Sequence, residues 1–279
     1  MKQQKTIPKS IQSFDTTSIY YEIDPPTPGK KYLIFLHGLT GDLSAWNAER
    51  EELRRLGYAT LALDLRGHGL SAHPDRQNAY ELDNFAGDVI TIIRKERIEK
   101  VTLIGHCFGG MITLLLAGKY VIPLSSLVLV DTSYKAPYFS TVFPHHLLLM
   151  KLLKLLTAYV PSGAFPGHTN YKKFIGTGDF DLRRIAHDMM HTSLRSYFMV
   201  CEKLTHFDAS NLLEDIHIPT LILEGTNDTI FPPHLVQALH HRLKRSLYEL
   251  VPNANHVLVI NNPKDLVKDM HTFLKRIKF

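Results

Sequence analysis

The ten residues VTLIGHCFGG, 101–110, constrain the fold more than any other stretch of the chain. An apolar run, Val101 to Ile104, meets Gly-His-Cys-Phe-Gly-Gly and continues at once as the helical pattern MITLLLAGKY. A buried strand that turns sharply into a helix is therefore expected here. Gly105 and Gly109 flank Cys107 with the spacing of a nucleophile elbow, G-x-S-x-G, in which cysteine takes the place of serine. The requirement is steric. The central residue holds a strained backbone that lifts its side chain clear of the sheet, and a Cβ on either flank would keep strand and helix apart.

Around this elbow, strand-like and helical runs alternate, which predicts an α/β fold with a mostly parallel central sheet and helices on both faces. Strands are expected within 31–38, 58–69, 100–105, 125–133, 218–228 and 246–256, and helices within 45–57, 84–98 and 263–277. Between about 134 and 212 the alternation stops, and the pattern is helical over 145–160 and 181–204 with a loop at 161–170 between them. An insertion of that length between core strands reads as a functional cap. The expected organisation is a core of 1–133 and 213–279 carrying a helical lid of 134–212.

Composition narrows the class. A chain of 279 residues with 44% hydrophobic and 21% charged residues is neither disordered nor membrane-spanning. The opening MKQQKTIPKSIQSFDTT has no apolar core for a signal peptide. No apolar run reaches the roughly 18 residues of a spanning helix. A cytoplasmic protein without stable membrane insertion is expected. The net charge of +5 is spread out, and the clusters RLKR (242–245) and KRIKF (275–279) read as solvated surface, so no nucleic-acid partner is expected. There are two cysteines, Cys107 and Cys201. A nucleophilic Cys107 cannot be tied into a structural disulfide, which fits a reducing compartment. Cys201 reads as a small buried apolar residue.

Five motifs follow one another along the chain: LHGLTG (36–41), DLRGHGLS (64–71), GHCFGG (105–110), PTLILEGTNDTIFPP (219–233) and ANHVLVINNP (254–263). With them the chain resembles the α/β-hydrolases, of the lipase and esterase type with a helical lid between the sixth and seventh core strands. The resemblance covers roughly 30–133 and 213–279. It implies a triad of Cys107 as nucleophile, Asp228 as acid and His256 as general base, in the chain order this fold uses. It also implies an oxyanion hole made by the backbone N–H groups of Leu39 and Phe108. The imidazole would take the proton of the nucleophile and return it to the leaving group, while the carboxylate fixes the tautomer. Asp131, after the strand that follows the elbow, competes for the acid role, but the surroundings of Asp228 match more fully. His37, Gly38 and His106 are candidates for the substrate pocket wall, the His37 side chain reading as a hydrogen-bonder of its own loop. Asp64, Arg66 and His68 read as structural braces.

HDMMH (187–191) puts two histidines at a zinc-binding spacing, but Asp188 stands where that motif needs glutamate and no third ligand follows. Neither a metal nor an organic cofactor is implied. The segment 145–160, nearly apolar apart from Lys151 and Lys154, is expected to roof an apolar pocket, with contact to lipid surfaces as the other reading. The resemblance implies a hydrolase acting on small-molecule carboxylic esters, lactones or thioesters through an acyl-enzyme on Cys107. Two rivals stay open. One is acyl transfer from a cysteine-bound thioester, since the elbow is also similar to that of polyhydroxyalkanoate synthases. The other is a ligand-binding receptor on the same fold. Oligomeric state, and whether Cys107 is native or exchanged for serine, are open as well.

Overall fold

Residues 6–26, 28–136, 152, 155 and 165–279 are described by the structure, a computed structural model. Its strands are β1 Ile7–Gln12, β2 Ser18–Ile23, β3 Lys31–Leu36, β4 Thr60–Leu63, β5 Lys100–His106, β6 Leu124–Val130, β7 Thr220–Gly225 and β8 Ser246–Val251. They form one eight-stranded sheet in the order β1-β2-β4-β3-β5-β6-β7-β8. Every pairing from β4 to β8 in that order is parallel, and β1 and β2 extend one edge by antiparallel pairing. The mostly parallel sheet predicted from the alternation is present, with all six expected strands. The β1–β2 hairpin was not foreseen: β1 is largely exposed and carries Pro8, Lys9 and Gln12, so its apolar alternation is faint.

Side chains along a strand point alternately to the two faces, and this sorts the core into two halves. Ile34, Leu36, Leu61, Leu63, Leu103 and Leu129 pack under α2 Leu82–Glu96, α3 Phe108–Lys119 and α6 Pro233–Arg242. Leu33, Phe35, Ala62, Ile104, Val128 and Leu223 pack under α1 Asn47–Arg55, α7 Leu258–Asn261 and α8 Pro263–Arg276. With both faces buried, the central strands can be continuously apolar, as β3 and β4 are.

Between β6 and β7 the chain makes one long excursion containing α4 Leu182–Thr192 and α5 Leu194–Leu204. The run expected over 181–204 breaks into these two helices at Ser193, whose φ is +65° and whose side chain caps α5 by accepting from the Ser196 N–H at 3.1 Å. The helix expected over 145–160 lies outside the described residues except for Leu152 and Leu155, which are helical. The excursion narrows to a neck. Lys135 and Asp208 form an isolated antiparallel bridge, with Ala209 N–H donating to Tyr134 O at 2.8 Å and Ala136 N–H to Phe207 O at 3.2 Å. Loops leaving the carboxyl ends of β3, β5, β7 and β8 carry His37–Gly41, Cys107, Asp228 and His256, so the sheet gathers distant segments at one end.

Candidate active site

Cys107 joins β5 to α3 with φ +51° and ψ −115°, a conformation outside the allowed regions of an ordinary L-residue. The surroundings over-determine it. Its N–H donates to Val130 O at 3.0 Å, and its carbonyl accepts from Gly110 N–H at 3.0 Å and from the Thr132 hydroxyl at 2.7 Å. A Cβ on Gly105 would collide with the backbone of Gly109, and one on Gly109 with the carbonyl of Leu36. The flanking glycines are therefore required by close approach, as the spacing suggested.

His256 sits in the loop after β8, between the rings of His106 at 4.9 Å and Phe231 at 5.6 Å. Its Nδ1–H donates to Asp228 Oδ2 at 3.0 Å. The other Asp228 oxygen accepts from the N–H groups of Ile230 at 2.6 Å and Phe231 at 3.1 Å. Burial alone would lower the His256 pKa, but the charge of Cys107 and hydrogen bonds to Asp228 and Cys107 hold it well above the usual histidine range. Burial alone would raise Asp228, but His256 and the two amides keep it below the usual carboxylate range. The three side chains thus form one coupled unit with the imidazole in the middle.

Asp131, the rival acid, ends β6 fully buried with φ +39°. One oxygen accepts from Gly225 N–H at 2.8 Å, and the other has no hydrogen-bond partner among the described residues. Burial first, and then the charge of Asp228, push its pKa well above the carboxylate range. The imidazole bonds Asp228, not Asp131.

His37 turns into its loop: Nδ1–H donates to Gly38 O at 2.8 Å and Nε2 accepts from Leu65 N–H at 3.0 Å. His106 lies beside the triad, its Nε2–H donating to His256 O at 2.8 Å and its ring edge-on to Trp46. Burial, reinforced by the His256 charge, lowers its pKa to about 3, so it stays neutral. Gly38 brings its loop against His106 and Cys107. Among the described residues, neither Leu39 nor Phe108 spends its N–H on another protein group.

The DLRGHG side chains act as braces. Buried Arg66 bonds both oxygens of Asp88 on α2 at 2.8 and 2.6 Å, Asp15 of the β1–β2 turn at 2.9 Å and Ala79 O at 2.7 Å. Asp64 accepts from Leu43 N–H at 2.9 Å, Leu70 N–H at 2.8 Å and His168 Nε2 at 2.8 Å. The HDMMH side chains go separate ways: His187 packs against Phe174 with its ring tilted, His191 bonds Phe165 O at 2.7 Å, and Asp188 accepts from Tyr171 and Arg184. Two other groups place ligand-type atoms within 4.8 Å of one another, namely His106–Asp131–His256 and Asp42–Asp64–His168. Protein hydrogen bonds already occupy most of these atoms.

Two residues of α5 join the site. The charge of Cys107 reaches both Tyr197 and Cys201, which hydrogen-bond each other one helical turn apart. Burial pushes the Cys201 thiol up to about 12. Nothing in the local sequence marks Tyr197, an aromatic on an amphipathic helix, as a neighbour of residue 107.

Residues 31–263 match the family model described as alpha/beta hydrolase fold. The chain belongs to the α/β-hydrolase family. Human protein ABHD8 is 23% identical over 248 residues, which cover 87% of this chain and 54% of that protein. This α/β-hydrolase thus spans about half the length of the ABHD8 proteins it matches. The 3-oxoadipate enol-lactonase 2 of Acinetobacter baylyi is 25% identical over 244 residues, 88% of each chain. The crystal structure of the enol-lactonase from Burkholderia xenovorans superposes with a TM-score of 0.76 over 96% of this chain and 100% of its own, at 21% identity. That likeness concerns the fold. The chemistry of this α/β-hydrolase has to be argued from its own side chains.

Proposed function

We propose that this α/β-hydrolase cleaves carboxylic esters, lactones or thioesters through an acyl-enzyme on Cys107. The observation that carries the reading is His256, bonded to Asp228 at 3.0 Å and gathered with Cys107, on its strained elbow, at the same end of the sheet. His256 takes the Sγ proton as sulfur attacks the carbonyl carbon. The oxyanion meets the N–H groups of Leu39 and Phe108. Collapse breaks the bond to the leaving group, which takes the proton from His256. Water then gives a proton to His256, attacks the thioester and releases the acid, and the thiol is restored.

Esterases and lactonases among the relatives support an oxygen-ester or lactone substrate. The neck at Lys135 and Asp208 supports reading 134–212 as one lid, and the nearness of α5 to Cys107 supports placing that lid over the nucleophile. The thiol itself favours a second reading, acyl transfer, because a thioester remains reactive toward acceptors other than water.

Intact-mass spectrometry during turnover of p-nitrophenyl esters, lactones and acyl-CoA thioesters tests the proposal. One acyl group should accumulate on the wild type and none on Cys107→Ala, which should be inactive. Undiminished hydrolysis by Cys107→Ala overturns the mechanism. An added alcohol or amine acceptor that diverts product from the free acid favours transfer. Iodoacetamide should label Cys107 ahead of Cys201, whose thiol is held protonated at neutral pH.

A further inference from the structure

Helix α4 is built inside out. Its buried row, Arg184, Asp188 and Thr192, is polar, and its outward row, Leu182, Ala186 and Met190, is apolar. Each member of the inner row is hydrogen-bonded within the fold. Arg184 bonds Asp188 at 3.3 Å and Asp179 O at 2.7 Å, Tyr171 donates to Asp188 at 3.0 Å, and the Thr192 hydroxyl donates to Thr40 O at 2.8 Å. The outer row has no such explanation. Leu182 is 78% exposed, and Phe180 and Ile175 in the preceding loop are 65% and 64% exposed. Phe165, also exposed, lies against the end of α4 through its N–H bond to Met190 O at 2.8 Å. Eight of the fourteen large apolar side chains exposed among the described residues fall between 152 and 194. An apolar surface gathered in this way marks an interaction site.

Charge identifies the partner. Residues 134–212 hold nine Lys and Arg against five Asp and Glu, a balance of +4, while the remaining 200 residues balance at +1. The acids near the patch are hydrogen-bonded within the protein: Asp179 accepts from Thr229, Asp181 caps α4 through Arg184 N–H, and Asp188 is buried. The cations beside it, Lys172, Lys173 and Arg183, are exposed. The same loop is fastened to the core by Gly176 N–H to Asn261 and by Asn255 to Thr177 O, so the patch is a fixed surface beside the His256 loop. Among the described residues no helix is long and apolar enough to cross a membrane.

We propose that the face formed by α4 and the loop before it docks onto an anionic phospholipid bilayer, its apolar side chains entering the acyl boundary and Lys172, Lys173 and Arg183 meeting the headgroups. The inference is independent of the catalytic reading, so Cys107→Ala should bind vesicles like the wild type. The test is sedimentation with phosphatidylcholine vesicles and with equimolar phosphatidylcholine–phosphatidylglycerol vesicles. The wild type should partition onto the anionic vesicles and be released by high salt. Each basic residue at such a surface contributes about fivefold, so Lys172→Gln with Lys173→Gln and Arg183→Gln should weaken partitioning roughly a hundredfold. Phe180→Ser with Leu182→Ser and Met190→Ser should abolish it, with unfolding temperature kept as the control for fold. Equal partitioning of the variants and wild type, or indifference to lipid charge, overturns the proposal. So does a wild-type dimer that the apolar variant loses, since a second copy would then cover the face.

Discussion

At Cys107 the strained φ of +51° is imposed by the glycines and by Thr132, not by the side chain, so the nucleophile can be changed without disturbing its mount. Cys107→Ser should therefore fold normally. On the proposed acyl-cysteine reading its ester hydrolysis should fall; a much faster serine variant would show a site made for oxygen. The two acids should separate cleanly. Asp228→Asn removes the charge that fixes the His256 tautomer and should lower kcat by roughly 10⁴-fold, the loss seen when a triad carboxylate becomes an amide. Asp131→Asn changes a buried carboxyl that does not bond the imidazole into a group of similar size, so its effect on kcat should stay within about tenfold. The opposite ranking would move the acid to Asp131. Cys107, Asp228 and His256, the proposed triad, were legible because each sits in a motif at a strand end. Tyr197 and Cys201 were not, because their nearness to Cys107 depends on how α5 crosses the sheet. The state of Asp131 was hidden too, since burial does not show in a turn-like DTS.

At the scale of elements, His168 links the excursion to the core. Its Nε2 bonds Asp64 at 2.8 Å, its ring lies 5.6 Å from Tyr20, and the next residue, Thr169, donates its N–H to Asp42 at 2.7 Å. Burial alone would lower the His168 pKa, but the bond and charge of Asp64, then the charges of Asp42 and Glu22, raise it above 6.5. A raised folded value means the stabilisation is fully present below the unfolded value and is lost as pH climbs through the folded one. His168→Gln should therefore cost about 1–2 kcal/mol at pH 6 and much less at pH 9, read as the change in unfolding temperature at each pH. An equal loss at both would mean that His168 acts uncharged. Strands such as β3 and β4 were readable because both of their faces are buried and their apolar runs are continuous. The β1–β2 hairpin was not, because half of it faces water. Ser193 could have been read as a break, since serine three residues before Ser196 has the chemistry of an N-cap, but the apolar spacing runs through it without interruption.

At the scale of the whole molecule, Arg66 ties three separate regions, the β1–β2 turn, α2 and the loop before it, through one guanidinium with no exposure to water. Arg66→Ala leaves Asp88 buried without its partner and should cost about 3–5 kcal/mol by urea unfolding. A loss below 1 kcal/mol would mean that the carboxylate finds relief by taking up a proton. The neck of the excursion has a different kind of consequence. Tyr134 and Ala136 on the way out are hydrogen-bonded to Ala209 and Phe207 on the way back. The core therefore meets everything between as a single loop whose ends already touch. A segment of another length spliced in here would leave the strand order as it is, at the cost of the bonds that His168, Thr169 and Thr192 make to the core. On the proposed readings of the lid and of its lipid-docking face, gene recombination at this neck would exchange substrate preference and surface address together as one cassette.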